Sequence, residues 1–247
     1  MAHRDEIITF ADELLDSSSF RDYGPMGMQV VGAEAVTKLV CAVSSSRELF
    51  LRAAAAGAQL VIVHHGVLWE NEPRTIGPLM KGRLQALFDA DLTLAAYHLA
   101  LDAHPEIGNN VLLARELGLE VDAPFAGIGA GGRFAAPPTI EELVARARQA
   151  VGQEPLVFAD GPERIERGAV VTGGGARYTA QAAAEGYGVL ITGEAAEPTM
   201  MAARELGIHV VAAGHYATER LGVQALAARI GERFGVEWEY LELPNPV

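Results

Sequence analysis

Residues 53–66 read AAAAGAQLVIVHHG and residues 182–195 read AAAEGYGVLITGEA, and the two stretches align almost position for position. Each runs from an alanine-rich helical stretch through a glycine into a short β-branched apolar run, the pattern of a buried strand. The first run breaks off at His64 and His65, the second at Gly193 and Glu194. A second pair of segments follows in the same register: LTLAAYHLALD at 92–102 and IHVVAAGHYATE at 208–219.

Outward from these anchors the alternation continues. A helix over 4–16 places Ile7, Ile8, Leu14 and Leu15 near one face, and a glycine-rich loop spans 23–32. Then come a strand at 38–44, a helix at 47–56, the strand 59–63, a helix at 78–89 and a strand at 92–97. The second half repeats the order: strand 168–172, the glycine turn Gly173, Gly174 and Gly175, a helix to 185, strand 189–192, helix 199–206 and strand 209–213. Short apolar runs alternating with helices predict an α/β fold with mostly parallel strands. The repeat predicts two similar α/β lobes related by a pseudo-twofold axis. The lobes are expected at 1–121 and 168–247, forming one compact unit without an inserted domain. Residues 122–167, with GIGAGG and AAPP around a helix at 140–150, read as a connecting segment with a small strand or two.

Half of the 247 residues are hydrophobic, enough for a large core. The apolar runs of five to eight residues fall far short of the roughly 20 that span a bilayer. The N-terminus, MAHRDEIITFADELLD, is acidic and amphipathic rather than built as an export signal. The single cysteine, Cys41, lies in an apolar strand and leaves no intramolecular disulfide. A soluble cytoplasmic protein is expected. Nineteen basic against 32 acidic residues give a formal charge of -13, which argues against nucleic acid as a partner. The acid excess is compatible with recruiting cations, and equally with an ordinary solvated surface.

In parallel α/β sheets ligands gather at the carboxyl ends of strands, and the polar residues cluster there. Two adjacent imidazoles, His64 and His65, suit a dinuclear site better than a single ion, although a hydrogen-bonded strand cap is the plain alternative. His98 stands four residues before Asp102, and His215 four before Glu219. At that spacing an imidazole and a carboxylate share one side of a helical turn, where both grip one ion or one orients the other. The recurrence after equivalent strands points to a metal site between the lobes.

The donors are nitrogen and oxygen without a usable thiolate, so the expected cofactors are two divalent ions: zinc, manganese, iron or a similar metal. Three histidines and two carboxylates over two ions leave positions for water, as hydrolysis requires. Glu194 is a candidate general base or orienting group, or a carboxylate at a helix N-terminus. His98 and His104 are candidate outer groups, His98 the better placed. TGGGA at 172–176 either offers backbone N–H groups to a phosphate or is a tight strand-to-helix turn. Trp69 and Tyr216 either stack on a ring or wall the site.

The runs VHHGVLWE (63–70), YHLALDAHPEIGNN (97–110), ITGEAAE (191–197) and AAGHYATER (212–220), with the closing PNPV, resemble the dinuclear-metal proteins called GTP cyclohydrolase I type 2 homologues, the YbgI branch in particular. The likeness covers nearly the whole chain. It implies a ring-shaped homohexamer, a trimer of dimers with metal sites opening to its interior. It also implies that the family's metal ligands fall on His64, His65, Asp102, His215 and Glu219. Many relatives carry an inserted domain, for which this chain is too short. The family name points to a nucleotide substrate, and nothing in the sequence identifies guanine. Two readings follow: a metal-dependent hydrolase acting on a nucleotide or related heterocycle, or a non-enzymatic protein that stores or delivers metal or serves as a ring scaffold.

Overall fold

The computed structural model describes all of residues 1–247, and the chain divides into two compact units: Met1–Leu101 with Gly222–Pro244, and Asp102–Leu221 with Asn245–Val247. The sequence division at 121 and 167 differs from this partition. Residues 122–167 supply strands to the second unit's sheet, and the last long helix carries the chain back into the first unit. The protein is a mixed α/β protein with two mixed sheets, and no helix is long and apolar enough to cross a membrane.

The first unit opens with β1 (Ala2–His3) and α1 (Arg4–Leu15), followed by β2 (Gly27–Val30), β3 (Ala35–Val36), β4 (Lys38–Ser44) and α2 (Arg47–Ala55). Next come β5 (Leu60–His65), α3 (Pro78–Asp89) and β6 (Thr93–Ala96). Local chemistry sets the helix ends. The His3 ring accepts the Asp5 N–H at the start of α1, and the Ser46 hydroxyl accepts the Leu49 N–H at the start of α2. Each satisfies a donor that the first turn leaves without a helical partner. β4, β5 and β6 pair in parallel, as their unbroken apolar runs require when both faces are covered. The glycine-rich stretch 23–32, read as a loop, contains β2, which pairs antiparallel with β6 at the sheet edge. Its four residues are too few to show a period. Val40, Val61, Leu94, Phe50 and Leu87 form the centre of this unit's core.

Helix α4 (Leu99–Ala103) leads into the second unit, which contains α5 (Asn109–Glu116), β7 (Glu120–Phe125), β8 (Gly129–Arg133), α6 (Ile140–Val151) and β9 (Leu156–Ala159). β10 (Arg167–Val171), α7 (Thr179–Ala184), β11 (Val189–Thr192), α8 (Thr199–Leu206), β12 (His209–Ala212) and α9 (His215–Thr218) follow. α10 (Arg220–Phe234) returns to the first unit, where β13 (Glu237–Tyr240) pairs in parallel with β4. The second sheet runs β7-β8-β10-β11-β12-β9, with β10, β11 and β12 parallel and the outer strands antiparallel. The glycines of GIGAGG belong largely to strand β8 rather than to a linker. A Cβ on Gly131 would occupy the place of the Tyr187 hydroxyl, so glycine marks close packing here, not flexibility. α6 carries a reciprocal Thr139–Glu142 capping box and stops at Gly152 in the left-handed region.

Candidate functional site

In the first unit His64 and His65 are the last two residues of β5 itself. Successive strand residues face opposite ways, and the two imidazoles take different partners. The buried His64 donates from Nδ1 to the Tyr97 carbonyl at 2.9 Å, beyond the end of β6. The Nδ1 of His65 lies 3.1 Å from Ser44 Oγ, its registered neighbour on β4. The ring centroids are 4.7 Å apart and tilted by 49°.

His98 follows β6 and donates from Nδ1 to Asp22 Oδ1 at 2.7 Å. The Asp22 side chain is 2 % exposed, and it also accepts the N–H groups of Leu99 at 2.8 Å and Tyr23 at 2.6 Å. Burial pushes the Asp22 carboxyl up, but the His98 bond and charge and the two N–H groups outweigh it and hold it below the ordinary carboxylate range. The His98 ring stands 4.9 Å from His64 and 5.5 Å from His65, with Trp69 edge-on at 5.2 Å. One ring nitrogen from each of the three histidines lies within 4.8 Å of the others. Trp69, tied to the Gly66 carbonyl at 3.2 Å, walls this cluster. Nothing in the RDYGP stretch around Asp22 advertised its role, since its partners His98 and Leu99 lie 76 and 77 residues away.

In the second unit the buried Asp102 accepts from Asn109 Nδ2 at 2.9 Å and Thr172 Oγ1 at 3.3 Å. Asn110 braces the same corner, donating to the Asp102 and Ile128 carbonyls and accepting the Thr172 N–H at 2.7 Å. The asparagines stand in PEIGNN, yet sequence reading assigned them nothing. His98 and Asp102, read as a pair, thus each have an anchor of their own.

The His215 and Glu219 pair does meet: Nε2 lies 3.2 Å from Glu219 Oε2, while Nδ1 is bonded to Glu194 Oε1. Burial disfavours the His215 imidazolium, but hydrogen bonds and charge from Glu219 and then Glu194 raise its pKa to about 9. Glu194, just beyond β11, is thus hydrogen-bonded to His215 through Nδ1. The glycine turn packs beneath this pair. Gly173 has φ of +61°, and a Cβ there would run into the Glu219 carboxylate. Its carbonyl accepts the N–H groups of Gly193 and Glu194, both at 2.9 Å. The Gly173 and Gly175 N–H groups bond to the Thr218 and Thr192 hydroxyls, so these two donors of TGGGA are taken within the fold. His104 accepts the Glu106 and Ile107 N–H groups on Nδ1 and caps a local turn. Tyr216 is buried.

Every one of these groups lies at the carboxyl end of a parallel strand or just beyond it, or braces one that does. In the first unit the imidazoles of His64, His65 and His98 form a cluster consistent with metal binding, and the nitrogen and oxygen donors of the candidate residues fit a first-row divalent ion. Beside Asp102 opens a cavity of about 280 Å³ walled by Val111, Val121, Ala123, Pro124 and Ile128, with Asp122 as a second carboxylate.

Similarity to known proteins spans the chain. It is 42 % identical over 245 residues to the GTP cyclohydrolase 1 type 2 homolog of Pseudomonas aeruginosa, covering 97 % of each chain. It is 40 % identical over 242 residues to the homolog of the same name from Escherichia coli K12, covering 98 % of each. Among solved structures, protein ybgI, described as of unknown function, superposes with a TM-score of 0.96 at 39 % identity, covering 99 % of this chain and all of that one. TTHA1606 from Thermus thermophilus superposes at 0.92 with 36 % identity, covering 99 % and 100 %. The sequence profile of one family matches residues 2–246, and with it the chain belongs to the Duf34/NIF3 (NGG1p interacting factor 3) family.

Proposed function

We propose that this protein is a dinuclear-metal-dependent, hydrolase-like protein in which His64, His65, Asp102, His215 and Glu219 together hold two divalent cations, zinc, manganese, iron or a similar ion. The observation that supports it best is that each proposed imidazole ligand already has its Nδ1 engaged: His64 on the Tyr97 carbonyl, His65 on Ser44 and His215 on Glu194. That arrangement orients a ring so that Nε2 faces an ion, the usual outer support of a metal-bound histidine. Asn109 and Thr172 hold the Asp102 carboxylate in the same way. When bound, such an ion supplies a Lewis acid and a water acidic enough to ionise near neutral pH.

The cavity beside Asp102 has room for a small heterocycle, and its apolar walls would exclude water from one face of it. Its lining holds Asp102 and Asp122 and no lysine or arginine. Asp122 is paired with Arg133 and Arg167, and the apolar walls suit an uncharged ring. The same lining favours, as the second reading, a protein that holds or delivers metal without turnover, or serves as a scaffold. The ring-shaped homohexamer implied by the family likeness belongs to this proposal, and light scattering should return the mass of six chains.

Metal analysis of protein purified without chelators, followed by turnover assays on a panel of nucleotides and heterocycles with each metal, tests the proposal. His64→Ala combined with Asp102→Ala should empty at least one ion site and leave circular dichroism unchanged. Unaltered metal stoichiometry in that variant refutes the ligand assignment.

A further inference from the structure

Arg83, on the second turn of α3, lines a cavity of about 200 Å³ between that helix and the loop that follows β5. Its Nε is shut away from solvent and has no hydrogen-bond partner. An arginine that only packs its stem keeps its N–H groups in water. A charged donor held out of water without an acceptor is the costly arrangement, and a ligand that supplies the acceptor removes the cost.

The same cavity is walled by Leu79 and Met80, in the first turn of α3. The helix begins at Pro78, its N-cap Gly77 has no side chain to offer, and its first bond runs from the Lys81 N–H to the Gly77 carbonyl. The Leu79 and Met80 N–H groups therefore have no acceptor within the helix. Val67, Pro73 and Pro78 make the rest of the wall largely apolar. Glu72, the acid in the lining, is solvent-exposed, so water and salt screen its charge.

We infer that Arg83 and the first turn of α3 form a binding site for a small phosphate monoester, in the first unit and lined by none of the five proposed metal ligands. A phosphoryl group accepts only. Its oxygens take the planar fork of a guanidinium two at a time and leave another for backbone N–H groups at a helix start. The apolar wall takes the body of the ester. At about 200 Å³ the cavity is smaller than the roughly 300–1,000 Å³ of sites for drug-sized ligands, so the body is short. A chain of formal charge -13 does not gather anions by its overall field, and binding here depends on the local donors.

Phenylphosphonate is the probe, with inorganic phosphate beside it: it keeps the phosphoryl oxygens and an apolar ring and has no ester bond to hydrolyse. Calorimetric titration of the full chain should show saturable binding, tighter for phenylphosphonate than for phosphate because the ring is taken out of water. Arg83→Gln should weaken it by about 10- to 100-fold, the range for hydrogen bonds to a charged group. Arg83→Lys keeps the charge without the fork and should fall between the two. In amide NMR spectra of the unaltered chain the Leu79 and Met80 resonances should move with phenylphosphonate, which keeps the test available if Arg83→Gln fails to fold. Asp102→Ala, in the other unit, should bind the probe as the unaltered chain does, which separates this site from an anion held on a metal ion. No binding by the unaltered chain, unmoved Leu79 and Met80 amides, equal affinity in folded Arg83→Gln, or loss of binding in folded Asp102→Ala would each overturn the site. Phosphate bound as tightly as phenylphosphonate would overturn the choice of a monoester.

Discussion

The two units hold the histidines of the candidate site in opposite ways. In the first, three imidazoles face one another and are pinned from behind by a carbonyl, a hydroxyl and one buried carboxylate. In the second, a single imidazole, His215, is gripped on both nitrogens by the carboxylates of Glu194 and Glu219. The first arrangement defines the tautomer of His64 and His98, each with its proton on Nδ1. The second yields an imidazolium that persists to about pH 9 when no ion is bound. The same strand order, three parallel strands each followed by a loop, thus supports a nitrogen-rich cluster in one unit and an oxygen-rich one in the other.

The sharpest way to break the oxygen-rich half is through its backbone. Gly173→Ala meets two costs at once: a left-handed φ of +61° and a collision with the Glu219 carboxylate. The backbone strain alone is about 1–2 kcal/mol, and displacing a packed carboxylate brings the total to roughly 3 kcal/mol. Gly186→Ala is the control, with φ of +78° and nothing within 4 Å of an added Cβ, and should cost only about 1–2 kcal/mol. Urea denaturation of both variants, read beside zinc affinity, separates strain from damage to the site. Gly173→Ala should lose both stability and zinc, and Gly186→Ala stability alone. Equal zinc affinity in the two would mean that the turn does not support His215 and Glu219.

Most of the strand order was legible because it rests on apolar runs that need only be buried. LVIV at 60–63 and VLIT at 189–192 occupy strands of the expected bounds within a residue or two. What was not legible depended on partners far along the chain. β2 was hidden in a glycine-rich stretch because edge pairing with β6 needs only four residues. β7, β8 and β9 read as a connector because β8 is glycine-rich and strand contacts with β10 and β12 cannot be seen locally. The histidines and acids of the candidate site stood out because their residue types are uncommon at strand ends. Asp22, Asn109 and Asn110 did not, since their value lies wholly in what they bond to.

Asp22→Asn sharpens the comparison from the nitrogen-rich side. An amide cannot accept from His98 Nδ1, Leu99 N–H and Tyr23 N–H together without turning a donor toward a donor. Leaving one such buried group unsatisfied costs about 1–3 kcal/mol. The pH dependence has a definite sign. The folded Asp22 carboxyl lies below its ordinary value of 3.8, so its contribution is present above that value and disappears as pH falls toward the folded one. Unfolding free energies measured from pH 7 down to pH 2 should therefore fall more steeply for the unaltered chain than for Asp22→Asn in the acid range. Parallel curves would show that the carboxylate is not held as the hydrogen bonds indicate.

Glu194→Gln should have the smallest effect on folding and is for that reason the most informative about the second unit. The Glu194 side chain is 42 % exposed, so its ion pair with His215 contributes no more than about 1 kcal/mol to stability. Its consequence for His215 is larger. A glutamine still reaches Nδ1, but its amide no longer carries the charge that favours a proton there, and either its carbonyl or its NH₂ can face the ring. Loss of that charge should appear in nitrogen NMR of the ion-free protein as a His215 pKa below about 9, and zinc affinity should fall by roughly tenfold. His98, whose orientation depends on Asp22 in the other unit, should show no change in the same spectrum. A Glu194→Gln protein with unaltered His215 resonances and unaltered zinc affinity would mean that Glu219 alone orients that ring, and that the second unit, unlike the first, holds its imidazole from the ligand side only.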